Sequence, residues 1–144
     1  MMNLTHKARE TFAKDLYATE VTGICIDAVE EDEVCCSLSL TERHRNAMGA
    51  VMGGALFTLA DFVFAIAANR RCLAEGTPLT WVSLTSNIHY LIPTKGDKLY
   101  AKAICVKQGR ATCIYNIEIR DDKDSLVALV TTTGMQITKT NTTT

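Results

Sequence analysis

The sequence predicts an α+β domain in which one antiparallel sheet curls around one long apolar helix. Three observations carry that prediction. A tract from Ala55 to Ala68 is apolar on nearly every helical face, so other structure must wrap it on most sides. Two strand-like segments precede it and four follow, with short turn-rich stretches between them. The chain has 144 residues, 47% of them hydrophobic and 22% charged, which is the size of one domain and the composition of a globular one.

Taken in order, Leu4, Ala8, Phe12 and Leu16 recur every four residues and predict a short amphipathic helix. Val21–Val29 and Glu33–Leu40 read as strands flanking the acidic turn Glu30-Glu31-Asp32. A polar loop, Thr41 to Asn46, runs into a stretch with glycines at Gly49, Gly53 and Gly54. The long helix is predicted from Gly53 to about Cys72, with Arg70 and Arg71 near its end, where cations favour the dipole. Trp81–Ile92, Leu99–Lys107, Ala111–Arg120 and Leu126–Ile137 read as strands. Their separators, Pro93 to Asp97, Gln108-Gly109 and Asp121 to Asp124, are short enough for antiparallel hairpins. Lys98, Tyr100, Lys102 and Ile104 alternate with Leu99, Ala101, Ala103 and Cys105, as in a sheet with one wet face. No repeat or linker divides the sequence, so one domain is expected over residues 1–137, followed by a polar tail at 138–144.

Composition narrows the function. Fifteen Lys and Arg against 16 Asp and Glu leave a net charge of −1, without the basic stripe of a nucleic-acid binder. The N-terminal stretch mixes both charge signs and lacks an apolar signal-peptide core. The Ala55–Ala68 tract contains Thr58 and Asp61 and is shorter than the ~20 residues that span a bilayer, so no membrane partner is expected. Six cysteines form no CxxC pair and sit mostly in apolar segments, which reads as reduced, buried thiols in a cytoplasmic protein. His6, His44 and His89 are scattered without metal-ligand spacing, so neither a metal nor an organic cofactor is expected.

Asp61 does not fit the core. It lies two turns inside the apolar helix, too deep to be an N-cap, and the positions three and four away are Phe57, Thr58, Phe64 and Ala65. A carboxylate without a cation in such surroundings either finds a bond elsewhere in the sheet, faces a wet interface, or acts as general base or nucleophile in a cleft. Gly53-Gly54 at the helix start leaves backbone N–H groups uncovered, suited to an ester or thioester oxygen that gains negative charge. Eight residues of helix separate Gly53 from Asp61, which is ~12 Å at 1.5 Å per residue. One carbonyl cannot touch both in the same chain. If both act, they come from different subunits, and a homodimer is the minimum assembly.

The stretch Asn46-Ala-Met-Gly-Ala-Val-Met-Gly-Gly-Ala-Leu-Phe-Thr-Leu-Ala-Asp61 resembles the signature of hotdog-fold acyl-CoA thioesterases, in particular the phenylacetyl-CoA and 4-hydroxyphenylacetyl-CoA thioesterase branch. Its pattern is an Asn, then His-Gly-Gly opening the central helix, then Asp or Glu eight residues after the first of those glycines. Val82 to Pro93 is similar to the family's next strand, which ends in Tyr-Leu-x-Pro. The resemblance implies the hotdog fold and hydrolysis of an acyl-CoA thioester to a carboxylic acid and free coenzyme A. It implies that Asp61 is the catalytic carboxylate, that the Gly53 N–H polarises the carbonyl, and that Asn46 positions water or carbonyl. It further implies that Ser83 assists near the carboxylate, and that the subunits form a dimer with joined sheets, doubled to a homotetramer.

Met52, Gly54 and Phe57 fall where substrate would be bound. Lys95, Lys107 and Arg110 lie at strand ends near where related enzymes meet the coenzyme A nucleotide. Phe57, Phe62, Phe64 and Trp81 are available to line an acyl site. One position departs from the pattern, because Met52 stands where the family has His. His44 in the preceding loop either substitutes spatially for that His or, the favoured reading, is a solvent-exposed loop histidine, and His89 reads as a strand residue without a catalytic role. A hotdog dehydratase would want a His in or near the central helix, and Gly53 to Cys72 contains none. Cysteine chemistry would want a His beside Cys72. A non-catalytic acyl-CoA-binding or sensing module stays open as the alternative.

Overall fold

A computed structural model describes residues 3–137. Helix α1 (Leu4–Phe12) begins at Asn3, whose side chain accepts the His6 N–H and so caps the first turn. A wide π-helical turn (Tyr17–Thr22) follows and closes at Gly23, where φ is 92°. Strands β1 (Ile24–Val29) and β2 (Val34–Ser39) lead through a short 3₁₀ turn (Glu42–His44) to the central helix α2 (Gly53–Ala68). A short helix α3 (Arg70–Glu75) precedes β3 (Trp81–Tyr90), β4 (Lys98–Gln108), β5 (Thr112–Asp121) and β6 (Leu126–Gln136). All six strands form one antiparallel sheet in the order β1-β2-β4-β5-β6-β3. The sheet curls around α2, the hotdog arrangement.

The core lies between the two. Leu59, Val63 and Ile66 of α2 are fully buried against Val34, Leu38, Leu99, Ile117, Ile119 and Val127 of the sheet. Each such side chain contributes ~1.5–3 kcal/mol of burial. Phe62 meets Phe12 of α1 edge-on at 5.8 Å, and Phe64 meets Tyr115 of β5 in the same geometry at 5.8 Å. Gly134 of β6 sits directly under Phe64. A Cβ there would lie 2.6 Å from Phe64 Cζ, 2.9 Å from Cys113 Sγ and 2.9 Å from the Val82 carbonyl oxygen. Gly134→Ala is therefore expected to lower unfolding free energy by about 1–3 kcal/mol, an overpacking cost read by denaturant titration. Unchanged stability would show that helix and sheet can part without loss.

Four sequence expectations need correction. The long helix does not reach Cys72. Asn69 breaks it because its buried side chain accepts the N–H groups of Thr80 and Trp81 and donates to the Ala65 and Trp81 carbonyls, pinning the start of β3 to the helix end. Arg70 and Arg71 thus open α3 instead of closing α2. Val21 and Thr22 belong to the π-helical turn, and the first strand begins at Ile24.

The separator Pro93–Asp97 is not a hairpin, since β3 pairs with β6 and β4 with β2 and β5. The seven residues 91–97 cross three strand spacings, ~14 Å, which their length easily spans. They are laced to the β5–β6 turn by the Thr94 hydroxyl donating to Asp121 at 2.9 Å and the Asp97 N–H donating to Asp122 at 3.2 Å. Finally, Cys36, Cys72 and Cys113 are buried as expected, but Cys25 and Cys105 are exposed and Cys35 is half-buried. The tail 138–144 lies outside the described residues. No described helix is long and apolar enough to cross a membrane.

Candidate active site

The segment before α2 is a tight hairpin. The Asn46 N–H donates to the Ala50 carbonyl at 2.7 Å, the Met52 N–H donates to the His44 carbonyl at 2.8 Å, and Arg45 bridges Val51 between them. Gly49, with φ of 80°, makes the turn. The Asn46 Oδ1 accepts from the N–H groups of Met48 (2.9 Å) and Ala50 (3.1 Å). That commits the amide oxygen to the loop and leaves the Nδ2 donors without a partner among the described residues. Asn46 and Gly53 are thereby carried on one compact unit.

At the helix start, Met52 supplies no side-chain cap. The N–H groups of Gly53 and Gly54 have no acceptor among the described residues, so two donors at the positive end of a helix dipole face outward. Tyr90, at the end of β3, packs its ring on Gly53. A Cβ at that position would lie 3.1 Å from Cε1, Cζ and Oη, and the hydroxyl donates a long bond of 3.4 Å to the Gly53 carbonyl. The sequence reading gave Tyr90 no role. Strand parity with Ile88 places it on the helix-facing side, but nothing in the sequence sets the register that brings it to Gly53.

Asp61 lies two turns further along α2, on the one stripe the sheet leaves open. Gly54, Phe57, Thr58, Asp61 and Ala65 share that face at helical spacing, and none is buried. The carboxylate makes no hydrogen bond or ion pair among the described residues. Crowding by the surrounding fold pushes its pKa above the ordinary aspartate value, and repulsion from Asp15 adds to the shift. A carboxyl so placed holds its proton more readily than usual and makes a stronger base when ionised. Ser83 stands opposite Gly134 on β3, beside a bulge in the β3–β6 pairing, and so on the helix-facing side of the sheet.

Similarity to known proteins places the chain in a family. Residues 48–128 match the model of the thioesterase superfamily. Acyl-coenzyme A thioesterase PaaI of Escherichia coli is 33% identical over 88% of this chain and 89% of its own. Human acyl-coenzyme A thioesterase 13 is 32% identical over 83% of this chain and 86% of its own. The solved structure of the E. coli PaaI protein from the phenylacetic acid degradation operon superposes with a TM-score of 0.78 at 30% identity, covering 94% of this chain and 97% of that one. The chain belongs to the thioesterase superfamily.

Several features of this thioesterase differ from its sequence reading. Phe62 and Phe64 are core residues, buried against Phe12 and Tyr115, and so cannot line an acyl site. Only Phe57 of the helix phenylalanines reaches the open stripe, and Trp81 packs half-buried against the core. His44 is not a free loop residue. Its ring spans the Thr41 N–H (3.0 Å to Nδ1) and the Thr22 carbonyl (2.7 Å to Nε2).

Lys95 stands at the end of the sheet that holds the helix start. Lys107 and Arg110 stand at the opposite end, some ten residues of strand away, on the order of 30 Å. One chain does not bring them together. A cavity of about 390 Å³ opens among Cys35, Tyr100, Lys102, Glu118 and Arg120. None of Asn46, Gly53, Asp61 or Ser83 lines it.

Proposed function

We propose that the acyl-CoA thioester hydrolysis of this enzyme runs through Asp61 of one subunit and Gly53 and Asn46 of another. Asp61 takes a proton from water, and the water oxygen bonds to the thioester carbonyl carbon. The oxygen that becomes negative is held by the Gly53 N–H, with Gly54 beside it and the Asn46 Nδ2 as a further donor. Collapse breaks the C–S bond, and the coenzyme A thiolate leaves and takes up the proton held on Asp61. Ser83 orients the water near the carboxylate. No metal or organic cofactor enters the reaction.

The observation that carries this reading is the open stripe of α2. Asp61 and the uncovered amides lie on one straight helix ~12 Å apart, so each needs its complement from elsewhere. A second copy of the chain supplies both. Strand β3 forms one edge of the sheet, and Val82 and Leu84 on it are 41% and 53% exposed, which supports pairing of two sheets at that edge. The outer sheet face, where Tyr100 and Ile104 are exposed, supports doubling of the dimer to a tetramer.

In this assembly Phe57 and Met52 contact the acyl group. Lys95 of one subunit and Arg110 of the other meet coenzyme A phosphates. Six free thiols support a cytoplasmic setting.

A panel of aryl and short-, medium- and long-chain acyl-CoAs tests the reading. Loss of thioester absorbance is the signal, since the six cysteines would disturb a thiol reagent. Gly53→Pro removes the proposed donor but also sets a Cβ 3.1 Å from the Tyr90 ring, so Gly53→Ala, which adds that Cβ and keeps the N–H, is its control. Met52 already has φ −61° and ψ 137°, the conformation proline asks of its predecessor, and the first helical turn tolerates proline. The expected result is turnover of at least one acyl class and a fall in kcat of about 10²–10³-fold in the variant. Wild-type turnover by Gly53→Pro would remove that amide from the mechanism.

A further inference from the structure

We propose that His44 is a positioning residue for the thioester-binding half of the site, an assignment that rests on the roles of Asn46 and Gly53 above. The Thr41 N–H donates to Nδ1 at 3.0 Å, which makes Nδ1 the lone-pair nitrogen. Nε2 then carries the proton and donates to the Thr22 carbonyl at 2.7 Å. The ring therefore ties the end of the π-helical turn to the start of the 3₁₀ turn, across 22 residues of sequence. The same residue's carbonyl accepts the Met52 N–H at 2.8 Å, one residue before Gly53. Asn46 follows two residues after it.

His44 thus anchors the base of the hairpin whose tip carries Asn46 and whose second arm runs into Gly53-Gly54. Arg45 secures the other side, donating to the Gly49 carbonyl at 3.4 Å and the Gly96 carbonyl at 3.0 Å. No side chain caps α2, so this hairpin, together with the Tyr90 ring on Gly53 and the Val51 N–H bonded to the Thr94 carbonyl at 3.2 Å, aims the first helical amides. Stabilising a developing oxyanion requires donors fixed in advance, and misplacement by ~1 Å costs on the order of 10²-fold. His44 touches no substrate in this arrangement. It acts through the main chain at Met52 and Asn46.

Three variants separate positioning from general stability. His44→Gln places an amide nitrogen near Nε2 and keeps the Thr22 bond, His44→Asn keeps an acceptor for Thr41, and His44→Ala keeps neither. Kinetics are measured well below each melting temperature, alongside amide hydrogen exchange over residues 44–53. His44→Ala is expected to lower kcat about tenfold with KM within about twofold, and His44→Gln to recover about half of the loss. Exchange at Asn46, Ala50 and Met52 rises while strands β4 to β6 keep their protection. Wild-type kcat in all three, with only a lower melting temperature, overturns the proposal.

Should alanine leave no folded protein, Gln retains more kcat than Asn because it keeps the shorter bond, and equal kcat overturns the proposal. If the wild type turns over no acyl-CoA, the reaction reading fails and exchange alone decides. Faster exchange confined to the hairpin supports the anchor, and unchanged exchange overturns it.

Discussion

Asp61→Asn is expected to lower kcat by about 10²–10⁴-fold, the range for removing a general base, while KM stays near wild type and the melting temperature rises. Both effects come from the same placement. Partial desolvation by the surrounding fold first, and Asp15 second, raise the pKa of the exposed Asp61 above its ordinary value. The folded chain therefore holds this proton more tightly than the unfolded chain does. Between the unfolded value and the raised folded value, the folded state binds more protons, so stability falls as pH rises through that window. Above the window the ionised carboxylate is a net cost to folding that asparagine lacks. The stabilisation by Asp61→Asn should accordingly be present at neutral pH and vanish below the carboxylate range.

Activity follows the opposite course, since only the ionised form accepts a proton. kcat/KM should rise with pH across the raised pKa and level off above it. Asp15→Asn removes one cause of the shift and should move the rising limb to lower pH. An acidic limb that ignores Asp15→Asn would remove the charge coupling, and wild-type turnover by Asp61→Asn would end its assignment as base.

Much of the candidate site's geometry is legible in the sequence because it is written in local pattern. An apolar tract of helical length with one carboxylate inside announces both the central helix and Asp61. Gly-Gly at its start announces uncovered amides whatever the tertiary fold. What escaped depends on partners distant in sequence. The break at Asn69 is made by backbone groups of Thr80 and Trp81, so helix propensity alone carries the helix past it. A short separator between strands is compatible with a hairpin or a crossover, and only the pairing of β3 with β6 decides. Periodicity cannot rank Phe57, Phe62 and Phe64 on a helix apolar all round. Phe12 and Tyr115 settle which two are core. His44 looked like a polar loop residue because its acceptor, the Thr22 carbonyl, belongs to another segment.

Mixing two inactive variants should restore activity. In the proposed homodimer each site draws one residue from each subunit, so Asp61→Asn and Gly53→Pro each spoil every site. In a mixed dimer the two lesions fall together into one site, and the other site contains Gly53 of the first variant and Asp61 of the second, both intact. Random reassortment makes about half the dimers mixed, each with one of two sites whole, so about a quarter of wild-type activity returns. A tetramer built from such dimers gives the same fraction. If Gly53 and Asp61 of one chain served one site, every site in the mixture would carry a lesion and no activity would return. The ~12 Å between these residues along the helix exceeds the reach of a single thioester carbonyl and its attacking water, which supports the two-chain case. Recovery therefore reports directly on the two-chain site, and a mixture as inactive as its components would refute it.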